Sequence, residues 1–230
     1  MTILKQIKAA LLANVIENPE QVKRFFKTSP GSYGETDEFI GVTVPVLRKI
    51  AIAFSDAHKD VLQQLLCSRV NEERLLALLI LVRQYQKADT ALQYELYQFY
   101  MDNLAHVNNW NLVDSSAHLI LGAHLWDKDR AILKELARSD RLWERRVAIV
   151  STWYFIRKND LNSTFQVAEI LLNDKHDLIH KAVGWMLREA GKQSIEALIN
   201  FLQIHVHRMP KTMLRYSMEK LTLEQKAMII

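Results

Sequence analysis

Four side chains of the 230-residue sequence combine residue type and spacing in a way that suits chemistry: Trp110, Asp114, Arg146 and Trp185. Asp114 follows Trp110 by four residues, so on a helix the two share a face. Arg146 stands 36 residues after Trp110, and Trp185 stands 39 after Arg146. The second interval is one such period plus three, a shift that also stays on one helix face. A carboxylate stabilises developing positive charge, indole faces attract cations, and a guanidinium binds phosphate. The set therefore suits a cationic reacting group on an anionic partner. A plainer reading stands beside it: tryptophans at helical spacing usually fill cores, an aspartate caps or solvates a helix end, and an arginine is a surface charge.

The elements that would carry these residues are helices. Apolar residues recur at helical intervals over most of the chain, and six glycines and four prolines are too few for the turns of an all-β fold. A helix is expected to bury Ile3, Ile7, Ala10, Leu11, Asn14 and Val15, with Asn18-Pro19 ending it and starting the next. Residues 29–41 hold three glycines and a proline and read as the one long loop. Thr43 and Pro45 open a helix that buries Val46, Leu47, Ile50 and Phe54, and Asn71 caps a strongly apolar one. Further helices are expected near 90–104, 109–123, 129–138, 141–157, 163–173, 177–190, 194–204 and 211–219, and Thr222 with Gln225 forms a capping box for a last one.

A register of 36 residues aligns Leu76, Leu112, Ala148 and Gly184. The next positions align Ala77, Val113, Ile149 and Trp185, then Leu78, Asp114, Val150 and Met186. Asp114 alone among these twelve is neither apolar nor glycine, and a carboxylate in an apolar column needs a reason. A period in the high thirties with two helices per repeat fits an all-α, HEAT-like (ARM/HEAT-type) solenoid, and the chain reads as a single domain over 1–230. Equivalent helices of such a stack line one concave surface, which would bring the four residues to one groove. An irregular helical bundle is the alternative.

The formal net charge is +4, unevenly spread: residues 1–115 carry 12 Lys/Arg against 13 Asp/Glu, and residues 116–230 carry 18 against 13. A polyanionic partner on the second half is consistent with that. The single cysteine, Cys67, excludes an internal disulfide and suits a reducing, cytoplasmic compartment; it reads as a small buried hydrophobe beside an apolar helix. Lys5 and Lys8 interrupt any signal-like apolar run, and no stretch is long enough to span a membrane. His176 and His180 are at i, i+4, but no third ligand stands out and a surface pair is the expectation, so no metal and no cofactor is expected.

Three segments, NNWNLVD (108–114), LWERRVAIV (142–150) and KAVGWMLRE (181–189), resemble the active-site segments of AlkD-type DNA alkylation repair glycosylases. FFKTSPGSYGETDEFIGVTVPVLRK (25–49) and MPKTMLRYSMEKL (209–221) also resemble that family, so the likeness runs from about residue 20 to 221. The resemblance implies a DNA glycosylase that hydrolyses the N-glycosidic bond of cationic alkylated purines in duplex DNA without enclosing the base. It implies Trp110 with Asp114 as the aromatic and acid of the cleft, Arg146 as phosphate-binding arginine and Trp185 as second cleft tryptophan. Arg145, Lys181 and Arg188 are further candidate phosphate contacts, as are Lys192, Lys211 and Arg215. A family tyrosine is replaced by Phe25. The expected partner is double-stranded DNA carrying alkylated bases, met by a monomer in the cytoplasm, or at the nucleoid in a bacterium. The alternatives are a non-catalytic DNA-binding protein and a protein-binding scaffold.

Overall fold

A computed structural model describes every residue except Ile16, Glu17, Pro19, Gln21, Lys23, Arg24 and Ile230. The fold is all-α: no strand forms among the described residues, and one isolated parallel bridge pairs Glu38 with Val70. Contacts divide the chain into two compact units, residues 1–116 and 117–230.

The first unit includes the helices α1 (Ile3–Leu12), α2 (Val44–Ala53), α3 (Lys59–Leu66), α4 (Asn71–Lys87), α5 (Thr90–Asp102) and α6 (Trp110–Ser116). Every residue of α4 from Asn71 to Val82 is buried, because α2, α3, α5 and α6 pack on its different sides. A helix enclosed all round needs no amphipathic stripe, which is why LLALLILV is continuous rather than periodic. By contrast α1 buries only Ile7 and Leu11, and Ile3 and Val15 of the expected stripe are exposed. Leu47 and Ile50 of α2 are buried together with Ala51, while Val46 and Phe54 are half-buried. The N-cap of α4 is Val70, not Asn71; the Asn71 side chain turns instead to Asp37 and Asn111. Cys67 is exposed at the end of α3, contrary to the buried hydrophobe expected, with its Sγ 3.3 Å from Gln63 Nε2 and 3.5 Å from His106 Nε2. Asn18 Oδ1 accepts from the Glu20 amide, while Pro19 lies outside the described residues.

The second unit holds α7 (Ala131–Ala137), α8 (Leu142–Ser151), α9 (Trp153–Ile156), α10 (Asn162–Ile170), α11 (Asp177–Gln193), α12 (Ile195–His205), α13 (Lys211–Ser217) and α14 (Leu223–Ala227). The expected helix over 109–123 is interrupted: after α6, residues His118–Gly122 wind as a π-helix, with the Gly122 amide donating to Ala117 O. The reason is local. A Cβ at Gly122 would strike the Ser151 carbonyl oxygen, so a glycine in widened helix lets α8 approach. The capping box of α14 forms as the sequence predicts, with Thr222 and Gln225 exchanging side-chain-to-backbone bonds.

The register of 36 falls on α4, α6, α8 and α11; α4, α8 and α11 each pack against several neighbours, and α6 packs on α4. Of its twelve positions, ten are buried; Asp114 and Trp185 are half-buried. At Gly184 of α11 an added Cβ would lie 2.5 Å from Tyr216 Cβ and 2.6 Å from the Met213 carbonyl oxygen on α13. Gly184→Ala is therefore expected to force the two helices apart and to destabilise the protein by about 1–3 kcal/mol, read as a lowered urea midpoint with helicity retained. An unchanged midpoint would mean that this glycine does not set the approach.

Candidate active site

In the first unit, α6 presents Trp110 as its first residue and Asp114 one turn later, both half-buried. The Trp110 ring stacks on Phe26, with centroids 5.0 Å apart and planes 11° from parallel, and meets Phe25 edge-on at 5.6 Å. Phe26 in turn stacks on Phe39 at 4.6 Å. Phe25 is 67% exposed and its ring touches the indole.

Beneath this aromatic group lies a buried polar network that the sequence reading missed. Asp37 Oδ2 accepts from Asn71 Nδ2 at 2.8 Å and from Asn109 Nδ2 at 2.7 Å, while Oδ1 pairs with Arg74 at 2.5 Å. Arg74 also donates to the carbonyls of Ser68 and Arg69, just ahead of α4. Asn71 and Asn111 exchange amide bonds, the shorter at 2.7 Å. One residue on, Glu72 Oε1 accepts from three successive backbone amides, those of Ile40, Gly41 and Val42. Gly41 has a φ of 88°, the left-handed conformation that lets the chain curl round the carboxylate. Burial pushes the Glu72 carboxyl above its usual range, although the backbone hydrogen bonds pull it down. On the other side of α6, Ser116 bonds the buried Tyr100 hydroxyl at 3.1 Å, and burial drives that phenol's pKa upward. Helix α6 is thus held at its start through amides and at its end through a hydroxyl pair.

In the second unit Arg146 on α8 is buried, with 5% relative exposure, and its Nη1 donates to the Leu178 carbonyl in the first turn of α11. Trp185, on α11, meets Trp153 edge-on at 5.0 Å, and Trp153 leans on His118 at 4.6 Å. Trp153 and His118 are neighbours of the candidate residues that the sequence reading did not name; Trp153, seven residues after Arg146, was open to detection by helical spacing.

The remaining candidate cations differ in their surroundings. Arg145 donates to the buried Asp174 at 2.6 Å and to the carbonyls of Ser139 and Asp140. Arg188 pairs with Glu219 and Glu189, Lys192 with Glu189, and Lys181 with Asp177 at 2.7 Å. Lys211 and Arg215 line an open cleft with Leu214, Met218, Glu219 and Lys226. His176 Nδ1 caps α11 by accepting from the Leu178 amide, and His180 Nε2 bonds the Asp174 carbonyl, so each ring is engaged by the backbone. No cluster of three potential metal ligands occurs among the described residues, and none of their helices is long and apolar enough to cross a membrane.

The chain's fold is similar to that of a solved protein from Enterococcus faecalis described as a "predicted DNA alkylation repair enzyme". The two share 16% identity and a TM-score of 0.67, over 91% of this chain and 98% of that one. No curated protein matches. The family model of the DNA alkylation repair enzymes matches residues 7–221, nearly the whole chain and a span that includes Trp110, Asp114, Arg146 and Trp185, and the chain belongs to that family.

Proposed function

We propose that this protein is a DNA glycosylase of the HEAT-like repeat type, which hydrolyses the N-glycosidic bond of cationic alkylated purines in duplex DNA. N7-alkylguanine and N3-alkyladenine carry a formal positive charge. When the bond from C1′ to the base breaks, its electron pair goes to the base and cancels that charge. The sugar left behind is oxocarbenium-like; water adds to C1′, loses a proton, and an abasic site and the free alkylated base result.

The observation that carries this reading is Asp114, a half-buried carboxylate in a column whose other members are buried and apolar, one helical turn from an indole fixed by aromatic stacking. A carboxylate there stabilises the sugar cation and orients the water. Trp110 offers its indole to the deoxyribose as charge develops, and Trp185 is a second candidate for contact with the DNA. Arg146 serves a backbone phosphate, positioning the lesion without reading sequence. Arg145, Lys181 and Arg188, whose donors are engaged by carboxylates, are assigned first to holding their helices and only through that to the DNA. No pocket for the base is required, because the charge of the lesion itself makes it a leaving group.

The test is release of base from two duplexes of one sequence, containing either 7-methylguanine or uracil, scored by strand cleavage after alkali. Release from the first alone is expected. Release of uracil as well would mean that the cationic leaving group is not what the enzyme depends on, and release from neither with salt-dependent binding intact would point to a non-catalytic DNA-binding protein.

A further inference from the structure

We infer that Asn109, anchored by Asp37, is the positioning residue for Trp110; the inference rests on the assignment of Trp110 to the lesion contact. Asn109 is completely buried, and both ends of its side chain are engaged. Its Nδ2 donates to Asp37 Oδ2 at 2.7 Å, and its Oδ1 accepts from the backbone amide of Trp110, also at 2.7 Å. One short side chain therefore ties the first residue of α6 to a carboxylate in the 29–41 loop. That carboxylate is itself fixed from α4 by Arg74 and Asn71.

The same stretch of chain reaches Trp110 a second time. Phe26, ahead of the loop, covers one face of the indole, and Phe39, two residues beyond Asp37, stacks behind Phe26. The backbone of Trp110 is set through Asn109 and its ring through Phe26, and both constraints come from the segment 26–39. A shift of that segment moves backbone and ring together.

Asparagine suits the position because it brings one donor and one acceptor at opposite sides of a rigid amide. Aspartate would face Asp37 with a second carboxylate, and alanine would leave the Trp110 amide and an Asp37 lone pair without their partner. Serine separates capping from anchoring: its hydroxyl is able to cap the helix by accepting from the amide of Asn111 or Leu112, but is too short to reach Asp37.

The experiment measures single-turnover excision of 7-methylguanine at saturating enzyme for the intact chain and its Asn109→Ala, Asn109→Ser, Trp110→Ala and Asn109→Ala/Trp110→Ala variants. Both Asn109 variants are expected to lose about tenfold in the saturating rate with duplex affinity changed by less than about twofold, because a misplaced contact slows chemistry more than binding. Trp110→Ala is expected to lose more, and the double variant is expected to match Trp110→Ala alone, since Asn109 acts only through Trp110. Losses that multiply in the double variant would overturn the inference, as would a wild-type rate in Asn109→Ser, which keeps the helix cap.

A second readout does not depend on activity. The emission of Trp110, taken as the difference between each protein and its Trp110→Phe counterpart, is expected to shift in both Asn109 variants. If Trp110→Ala excises at the wild-type rate, the assignment of Trp110 to the lesion fails, and the emission then decides positioning alone: an unshifted Trp110 spectrum refutes it, and a shifted one sustains it.

Discussion

Asp114→Asn is expected to lower the release of 7-methylguanine by about 10²- to 10³-fold while leaving duplex affinity within about twofold. The two side chains are nearly the same shape, so α6 and the Trp110 stack are preserved and only the charge is lost. An amide presents a dipole to the developing sugar cation where a carboxylate presents a full charge, and it accepts no proton from the attacking water. The effect should therefore fall on the saturating rate. Equal rates for the two proteins would remove Asp114 from the mechanism, and a loss confined to affinity would recast it as a DNA contact.

The largest expected effect on stability belongs to Arg74→Met. Arg74 and Asp37 are 4% and 3% exposed at their side chains, so the substitution strands a buried carboxylate. Breaking such a pair from one side costs about 3–5 kcal/mol. Urea unfolding followed by the loss of helical signal should show the first unit melting at a lower midpoint. Replacing Asp37 as well, by leucine, should recover only part of the loss. In a simple buried ion pair the double apolar replacement is often harmless, but here Asn71 and Asn109 would lose their acceptor too. Full recovery in the double variant would show that the two amide bonds contribute nothing.

The helices were legible in the sequence because apolar periodicity reports burial directly. The 36-residue register marked α4, α6, α8 and α11, and it singled out Asp114, one of the two half-buried positions among its twelve; the other, Trp185, stood in it as one more apolar member and was marked only by its spacing from Arg146. Polar partners were not legible in the same way. Asp37 meets Asn71 across 34 residues and Asn109 across 72, and no pattern of types or intervals in one sequence announces such a pairing. Asn71 has the composition of a cap and stands beside a helix start, so the local rule applied to it, yet the tertiary partner prevailed. Arg145 and Arg188 read as available cations because charge is visible in a sequence and its neutralisation by Asp174 or Glu219 is not. The π-turn at His118–Gly122 escaped for another reason: it answers to the Ser151 carbonyl on a neighbouring helix, not to the residues that form it.

The polar start of α4 also bears on how the chain reaches this arrangement and no other. An apolar contact between the 29–42 loop and α4 would tolerate sliding by a residue, since one leucine fits against another almost as well as the next. Asp37, Asn71, Arg74, Asn109 and Glu72 permit no such slip, because each wrong alignment would leave several of them dry and unmatched. The network works as a keyed joint. It adds little attraction over a greasy seam of equal size, but it makes near-miss dockings costly, and the loop that carries the aromatic residues over Trp110 has one seat instead of several.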